Sequence, residues 1–223
     1  IKAICNSADK YLFDQKAGGY RLNTDFKEEK FDLGRMFGFA YGEKENGAVF
    51  SHMAVMYANA LYKRGFIKEG YKVLKNLLDS AMNFESSIMY PGIPEYFDND
   101  GRGLYAYLTG AASWYMLTMI TEVFGVRGEL GNLVIKPALL PEQFDKDGKA
   151  AIKLNFSGRT LKITIHADID NIQDNNGVYN KIIRVECDGN ELESADLKKV
   201  VIMKKRIEEM SCERCHEIDV FIK

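Results

Sequence analysis

Several residue types that organise small or metal-bound proteins are scarce in this chain. Its 223 residues hold four cysteines, four prolines, three histidines and one tryptophan. Four cysteines at irregular spacing (Cys5, Cys187, Cys212 and Cys215) do not make a disulfide scaffold in a chain this long, so reduced thiols and a cytoplasmic location are expected. A net charge of −2 gives no reason to expect nucleic acid or an anionic membrane as a partner. No run approaches the roughly 20 apolar residues that span a bilayer. The N-terminus has no basic region followed by an apolar stretch, so no secretory leader is read there. It also begins at Ile1 rather than Met, which reads as a fragment whose upstream part is missing. Phosphate-cradling and nucleophile motifs are absent: no Walker A loop, G-x-G-x-x-G, G-x-S-x-G or H-E-x-x-H occurs.

What remains is ordinary globular material, 46% hydrophobic and 28% charged, enriched in Tyr and Phe. The hydrophobic period changes near residue 130. Before it, the spacing predicts a helix over 1–13, with Ile1, Ile4, Cys5, Ala8 and Leu12 on one face. A turn-rich stretch, 20–39, follows. Asn46 is the expected N-cap of a helix running to Lys63, with Val49, Phe50, Met53, Ala54, Tyr57, Ala60 and Leu61 as its apolar set. After Gly65-Phe66 a second helix over Ile67–Met82 should pack antiparallel to the first. A long irregular connection, 84–107, leads to a strongly apolar helix over 109–124, expected to be buried on most sides. Beyond it the period is 2. Ile152/Leu154/Phe156 and Leu161/Ile163/Ile165 flank a Ser157-Gly158 turn, and further strands are read at 182–187, 200–203 and 218–222. The expected organisation is a helical part over 1–130 and an antiparallel β-sandwich over 131–223.

Three places could carry chemistry. Gly42 to His52 packs Glu43, Lys44, Glu45 and a histidine into eleven residues. On one continuous helix, Lys44 and Glu45 would lie about 12 Å from His52, the span of a sugar ring plus an anion. Thr109-Gly110 opens the apolar helix, where unpaired backbone N–H groups and a hydroxyl favour an anion, and where Thr109 reads equally well as a plain N-cap. Cys212-Glu213-Arg214-Cys215-His216 spells the c-type haem attachment pattern, but it precedes a terminal strand in a β region, and haem is rejected. A closed zinc site needs four ligands and only one C-x-x-C is present, so incidental cysteines in a surface turn are the stronger reading and no metal is expected. His166 falls on the solvent-side register of its strand and reads as a surface residue.

The chain resembles the cellobiose phosphorylase family, glycoside hydrolase family 94. The resemblance rests on Gly42-x-Lys44-Glu45-Asn46-Gly47-x-x-Phe50-x-His52 and Tyr107-Leu108-Thr109-Gly110-Ala111-Ala112-x-Trp114. It continues with Phe124-Gly125-Val126-Arg127, Leu133-Val134-Ile135-Lys136-Pro137 and Leu140-Pro141, over roughly residues 33–145. The resemblance implies a multidomain α and β protein, the C-terminal part of an (α/α)6 barrel followed by a jelly-roll-like antiparallel β-sandwich. It implies an inverting phosphorolysis in which inorganic phosphate attacks a β-glucoside and releases an α-sugar 1-phosphate. His52, Thr109 and Gly110 match the family's phosphate contacts, and Lys44 and Glu45 its sugar contacts. Glu95, in Pro94-Glu95-Tyr96, resembles a cleft-facing Glu-Pro-Tyr segment in altered order. The wording Gly34-Arg35-Met36-Phe37-Gly38-Phe39-Ala40-Tyr41-Gly42 looks closest to the 1,2-β-oligoglucan phosphorylases.

The same resemblance places the general acid, an Asp, and a phosphate-gripping Arg upstream of Ile1. No catalytic residue is therefore assigned here, and the chain alone is expected to be inactive. No cofactor is implied beyond phosphate as co-substrate. Implied partners are a β-glucan oligosaccharide, the rest of the barrel and, in the full enzyme, a second copy as homodimer. A Pro commonly stands in relatives where this chain has Tyr41, so its acceptor-site neighbours are expected to differ. Two rivals stand beside this reading, a non-catalytic carbohydrate-binding module and a plain hydrolase of similar barrel fold.

Overall fold

An αα-hairpin and a five-stranded sheet are the two centres of packing in the computed structural model, which describes residues 1–89, 92–106, 110–167, 178–179, 181–192 and 197–223. Contacts divide the chain into two units, Ile1–Thr118 and Met119–Lys223.

In the first unit α1 (Lys2–Tyr11) leads into a small hairpin, β1 (Phe13–Asp14) with β2 (Gly19–Tyr20). Only Cys5 and Ala8 of α1 are buried, and Ile1 and Ile4 are exposed. A 3-10 segment, Phe31–Gly38, is broken at Gly34. Next come β3 (Val49–Phe50), α2 (Ser51–Lys63), α3 (Ile67–Met82) and the single turn α4 (Phe84–Ser87). The connection read as irregular contains β4 (Tyr96–Phe97) and β5 (Gly103–Leu104), which join β3 in a three-stranded sheet ordered β3-β4-β5. The unit ends with α5 (Gly110–Thr118).

The hairpin forms because α3 carries Ile67, Gly70, Val73, Leu74, Leu77 and Ala81 on one buried face. Gly70 lets the helices close up: a Cβ there would stand 2.6 Å from Cδ2 of Tyr62 and 3.2 Å from the Ala58 carbonyl oxygen. The bounds of α3 are those expected, but α2 departs from expectation. Its buried positions are Ser51, Ala54, Val55, Ala58, Asn59, Leu61 and Tyr62, whereas Met53 and Met56 are exposed. Nor is α5 buried on most sides. Only Ala111 and Thr118 are buried in it, and Met116 and Leu117 are 61% and 45% exposed. Asn59 donates to Thr118 Oγ1 at 3.1 Å, a buried polar tie between α2 and α5.

The second unit starts with a π-helical turn, Met119–Val123, in place of the α-helical end expected there. Buried Glu122 pairs with Arg127. Gly125 follows with φ +69°, and a Cβ there would stand 1.8 Å from the Lys136 carbonyl oxygen, so only glycine fits. The strands β6 (Val126–Glu129), β7 (Asn132–Ile135), β8 (Lys149–Phe156), β9 (Arg159–Ala167), β10 (Ile182–Cys187), β11 (Asn190–Glu191) and β12 (Val200–Ile202) follow, then α6 (Lys204–Glu209) and β13 (Cys215–Ile222). They form a three-stranded sheet ordered β12-β7-β6 and a five-stranded sheet ordered β11-β10-β13-β9-β8.

The β8–β9 hairpin turns at Ser157-Gly158 as expected, and Leu161, Ile163 and Ile165 are fully buried. The purely antiparallel expectation fails at one seam. β13 lies between β10 and β9 and runs parallel to β9, from Cys215 beside Thr160 to Ile222 beside Ala167. His166 is also less exposed than its register implied. It stacks on Phe221 at 4.5 Å and makes a 2.7 Å contact with Asp219, both reached across that parallel seam. No helix among the described residues is long and apolar enough to cross a membrane.

Candidate functional site

The segment from Gly42 to His52 is a tight turn, a short strand and then a helix, rather than one helix. Gly42 donates to the Asn46 carbonyl at 2.6 Å, Asn46 back to the Glu43 carbonyl at 2.9 Å, and Lys44 at the tip takes φ +44°. Asn46 caps nothing: its amide donates to the Phe39 carbonyl at 2.9 Å and so ties the preceding loop. The other side is tied by Arg21, whose guanidinium holds Asp14 and donates to the Gly47 carbonyl at 2.7 Å, and by Asn23, which accepts from Gly47 N at 2.8 Å. A loop held at so many backbone points presents its tip, Lys44-Glu45, in a fixed place. Lys44 and Glu45 therefore do not share a helix with His52, and the expected helical spacing of about 12 Å does not apply.

The structure brings Lys44 and Glu95 together. Lys44 Nζ lies 3.8 Å from a Glu95 carboxylate oxygen and 3.9 Å above the centre of the Tyr105 ring. Backbone pairing fixes Glu95 in turn: its carbonyl accepts from Ser51 N at 2.9 Å and its N–H donates to the Leu104 carbonyl at 3.1 Å. Beside it the Tyr96 hydroxyl donates to Glu43 at 2.8 Å. Burial, the bond to Glu43 and that carboxylate's charge all push the Tyr96 pKa upward, so the hydroxyl stays a donor. Glu45 turns the other way. One of its oxygens accepts from Arg35 at 2.8 Å, while the other is buried with no partner among the described residues.

His52 is the second residue of α2, and its ring lies against the first residue of α5. A Cβ on Gly110 would stand 2.9 Å from Cε1 and 3.0 Å from Nδ1 of His52, so the glycine is what admits the imidazole. Trp114, one turn further along α5, faces the same ring at 5.6 Å with a 50° tilt. His52 Nε2 is buried and has no hydrogen-bond partner among the described residues. An unpartnered buried ring nitrogen costs free energy unless a ligand supplies the missing partner. The start of a helix is where an anion is favoured, and α5 begins at this point. Thr109 lies outside the described residues.

Residues 1–125 match the family model described as the glycosyl hydrolase 94 superfamily, catalytic domain. The chain belongs to that superfamily. Over 166 residues, 65% of this chain, it is 25% identical to the cellobionic acid phosphorylase of Neurospora crassa. Over 173 residues, 72% of this chain, it is 24% identical to the solabiose phosphorylase of Paenibacillus borealis. The match spans 20% of the first relative's length and 22% of the second's. Both relatives are named as phosphorylases.

Sequence reasoning assigned no role to Tyr96, Tyr105 or Arg35, nor to Trp114 beyond its place in a motif. Tyr105 and Tyr96 come from the stretch read as irregular, where no period marks a buried ring. Trp114 stands four residues after Gly110, so helical spacing alone could have placed it on His52's side of α5. The Cys212-to-His216 motif is remote from these groups in sequence and lies in the other unit. Among the described residues no group of three or more His, Cys, Asp or Glu side chains is placed to hold a metal.

Proposed function

We propose that this chain is the C-terminal portion of an inverting glycoside phosphorylase. Its first unit contributes the last helices of an (α/α)6 barrel, and its second is the β-sandwich domain that follows. The observation that carries the reading is the buried, unpartnered His52 Nε2 set against Gly110 at the start of α5. An oxyanion such as phosphate would accept from this nitrogen and from the helix start together. Lys44 and Glu95, with Tyr105 beneath them, form a polar pair over an aromatic face, a combination suited to holding sugar hydroxyls and a ring face. Glu45, with its free buried oxygen, is the second acceptor for a sugar hydroxyl.

In this reading phosphate held by His52, Gly110 and Thr109 attacks the anomeric carbon of a β-glucoside while an acid upstream of Ile1 protonates the leaving oxygen. The nucleophile is already an anion, so the protein needs no general base. Its work is to position the phosphate and offset repulsion as it nears the ring, and one charge-assisted bond supplies roughly 1.5–3 kcal/mol. The substrate class is a β-glucan oligosaccharide, with 1,2-β-oligoglucans the favoured linkage. The test uses the full-length enzyme. Sugar 1-phosphate should appear with glucan plus phosphate, and free sugar released without phosphate would instead mark a hydrolase. His52→Ala should raise the phosphate KM by about tenfold or more, since 1.4 kcal/mol is a factor of ten. Unchanged phosphate kinetics in that variant would remove His52 from the site.

A further inference from the structure

Outside the proposed carbohydrate site, two thiols sit in a turn that the fold holds closed. Cys212 and Cys215 are both exposed, whereas Cys5 and Cys187 are buried. The chain bends at residues 212–214 just before β13. Buried His216 closes the bend from its far end: its Nε2 donates to the Ser211 carbonyl at 3.0 Å. The two cysteines are thus the inner pair of a short loop whose outer pair, 211 and 216, is already in contact.

Asp188 clamps the same loop from the β10–β11 turn. It makes a 2.7 Å contact with His216 Nδ1 and a 2.8 Å ion pair with Arg214, and it accepts from Glu217 N at 3.1 Å. The loop is therefore fastened at 211, 214, 216 and 217, and Cys215 itself is held by its place beside Thr160 at the start of β13. A disulfide needs Cα atoms within about 4.4–6.8 Å, and the bend at residues 212–214 turns the chain between the two cysteines. Holding the backbone in that shape beforehand raises the effective concentration of one thiol at the other. Other pairings are poor. Cys187 is buried and its thiol pKa is pushed up by burial, so little thiolate forms there. It lies beside Ile218, three residues along β13 from Cys215 and so about 10 Å from it. Metal chemistry is a weaker use of the thiols, since both ring nitrogens of His216 are already engaged.

We propose that Cys212 and Cys215 are a reversible thiol–disulfide site that exchanges with small disulfides such as oxidised glutathione. The thiolate of one cysteine attacks the glutathione disulfide, forming a mixed disulfide and releasing one glutathione thiolate. The second cysteine then attacks the protein-side sulfur, forming the Cys212–Cys215 bond and releasing the second glutathione. Two protein thiols are oxidised, one glutathione disulfide is reduced, and the two thiol protons pass to the released glutathiones.

The test equilibrates the chain with graded mixtures of reduced and oxidised glutathione, quenches with acid, alkylates under denaturing conditions and maps the peptides by mass. The expected product is a peptide carrying an internal Cys212–Cys215 bond, two hydrogens lighter than its reduced form, with Cys5 and Cys187 recovered as alkylated thiols. Cys212→Ser and Cys215→Ser should each retain one stable glutathione adduct in place of the internal bond. Two glutathiones on the wild-type loop, disulfide-linked dimers, or no reaction at either cysteine would each overturn the proposal.

Discussion

Two residues on different helices meet at the proposed phosphate site, and the smaller of them sets what the larger can do. Replacing Gly110 by Ala puts a methyl group 2.9 Å from Cε1 and 3.0 Å from Nδ1 of His52, so the ring has to turn away. A misplacement of that size is costly for a positioning group, so Gly110→Ala in the full-length enzyme should raise the phosphate KM by about tenfold. Alanine is a good helix former at the start of α5, so the urea midpoint should change little in the same variant. A parallel loss of stability would show that the residue serves packing instead. Asp188 gives a residue-scale prediction of another kind. Burial pushes its carboxyl up, but the bonds from His216 and Glu217 N and the charges of His216 and Arg214 outweigh burial and leave the pKa below the usual carboxylate value. The folded pKa lies below the unfolded one, so the stabilisation is present above about pH 4 and is lost as pH falls through the depressed value. Asp188→Asn should therefore lower stability in urea at pH 7, and the gap from wild type should narrow at pH 3. A gap that does not narrow would remove the charge from the account.

At the scale of elements, the approach of α2 and α3 depends on Gly70. Propensity alone predicts that Gly70→Ala stabilises α3 by about 1 kcal/mol. The structure reverses the sign, because the new methyl group meets Tyr62 at 2.6 Å and the Ala58 carbonyl at 3.2 Å. Overpacking of this kind costs about 1–3 kcal/mol, so a net loss in thermal or urea unfolding is expected. A gain would mean that Tyr62 rotates away at no cost. The α3 helix was legible in the sequence because its apolar positions recur at helical spacing and a glycine stops the helix before it. The start of α2 was not. Asn46 has the right side chain for a cap, but its amide is used by the Phe39 carbonyl, and the two-residue strand β3 is too short to show a period. The sites followed the same rule. His52 and Gly110 stood out through local motifs, whereas the Lys44–Glu95 pair depends on β3 and β4 lying side by side, which no local spacing records.

On the scale of the whole chain, the second unit rests on the strand at its centre. β13 has neighbours on both sides, and Ile218 and Val220 within it are fully buried. Ile218→Ala should cost about 2–5 kcal/mol. Hydrogen exchange should then show lost protection in β8, β9 and β10, while α2 and α3 in the other unit keep theirs. Loss of protection in both units together would mean that they unfold as one. The alternation that marked each strand here could not reveal that β13 runs parallel to β9. Period 2 fixes which face a side chain takes, and it carries no information on the direction of the neighbour.

That parallel seam has a consequence for the newly made chain. Lys162 and Glu217, which face each other across it, are 55 residues apart. At synthesis rates of about 5–20 residues per second, β9 waits roughly 3–11 s for the strand that covers its edge. The β8–β9 hairpin closes in microseconds, so for nearly all of that interval it stands complete with an open edge next to Leu161, Ile163 and Ile165. Nascent copies on neighbouring ribosomes would meet through that edge, which makes β9 the segment where holding by a chaperone, or crowding of one message, decides between folded protein and aggregate.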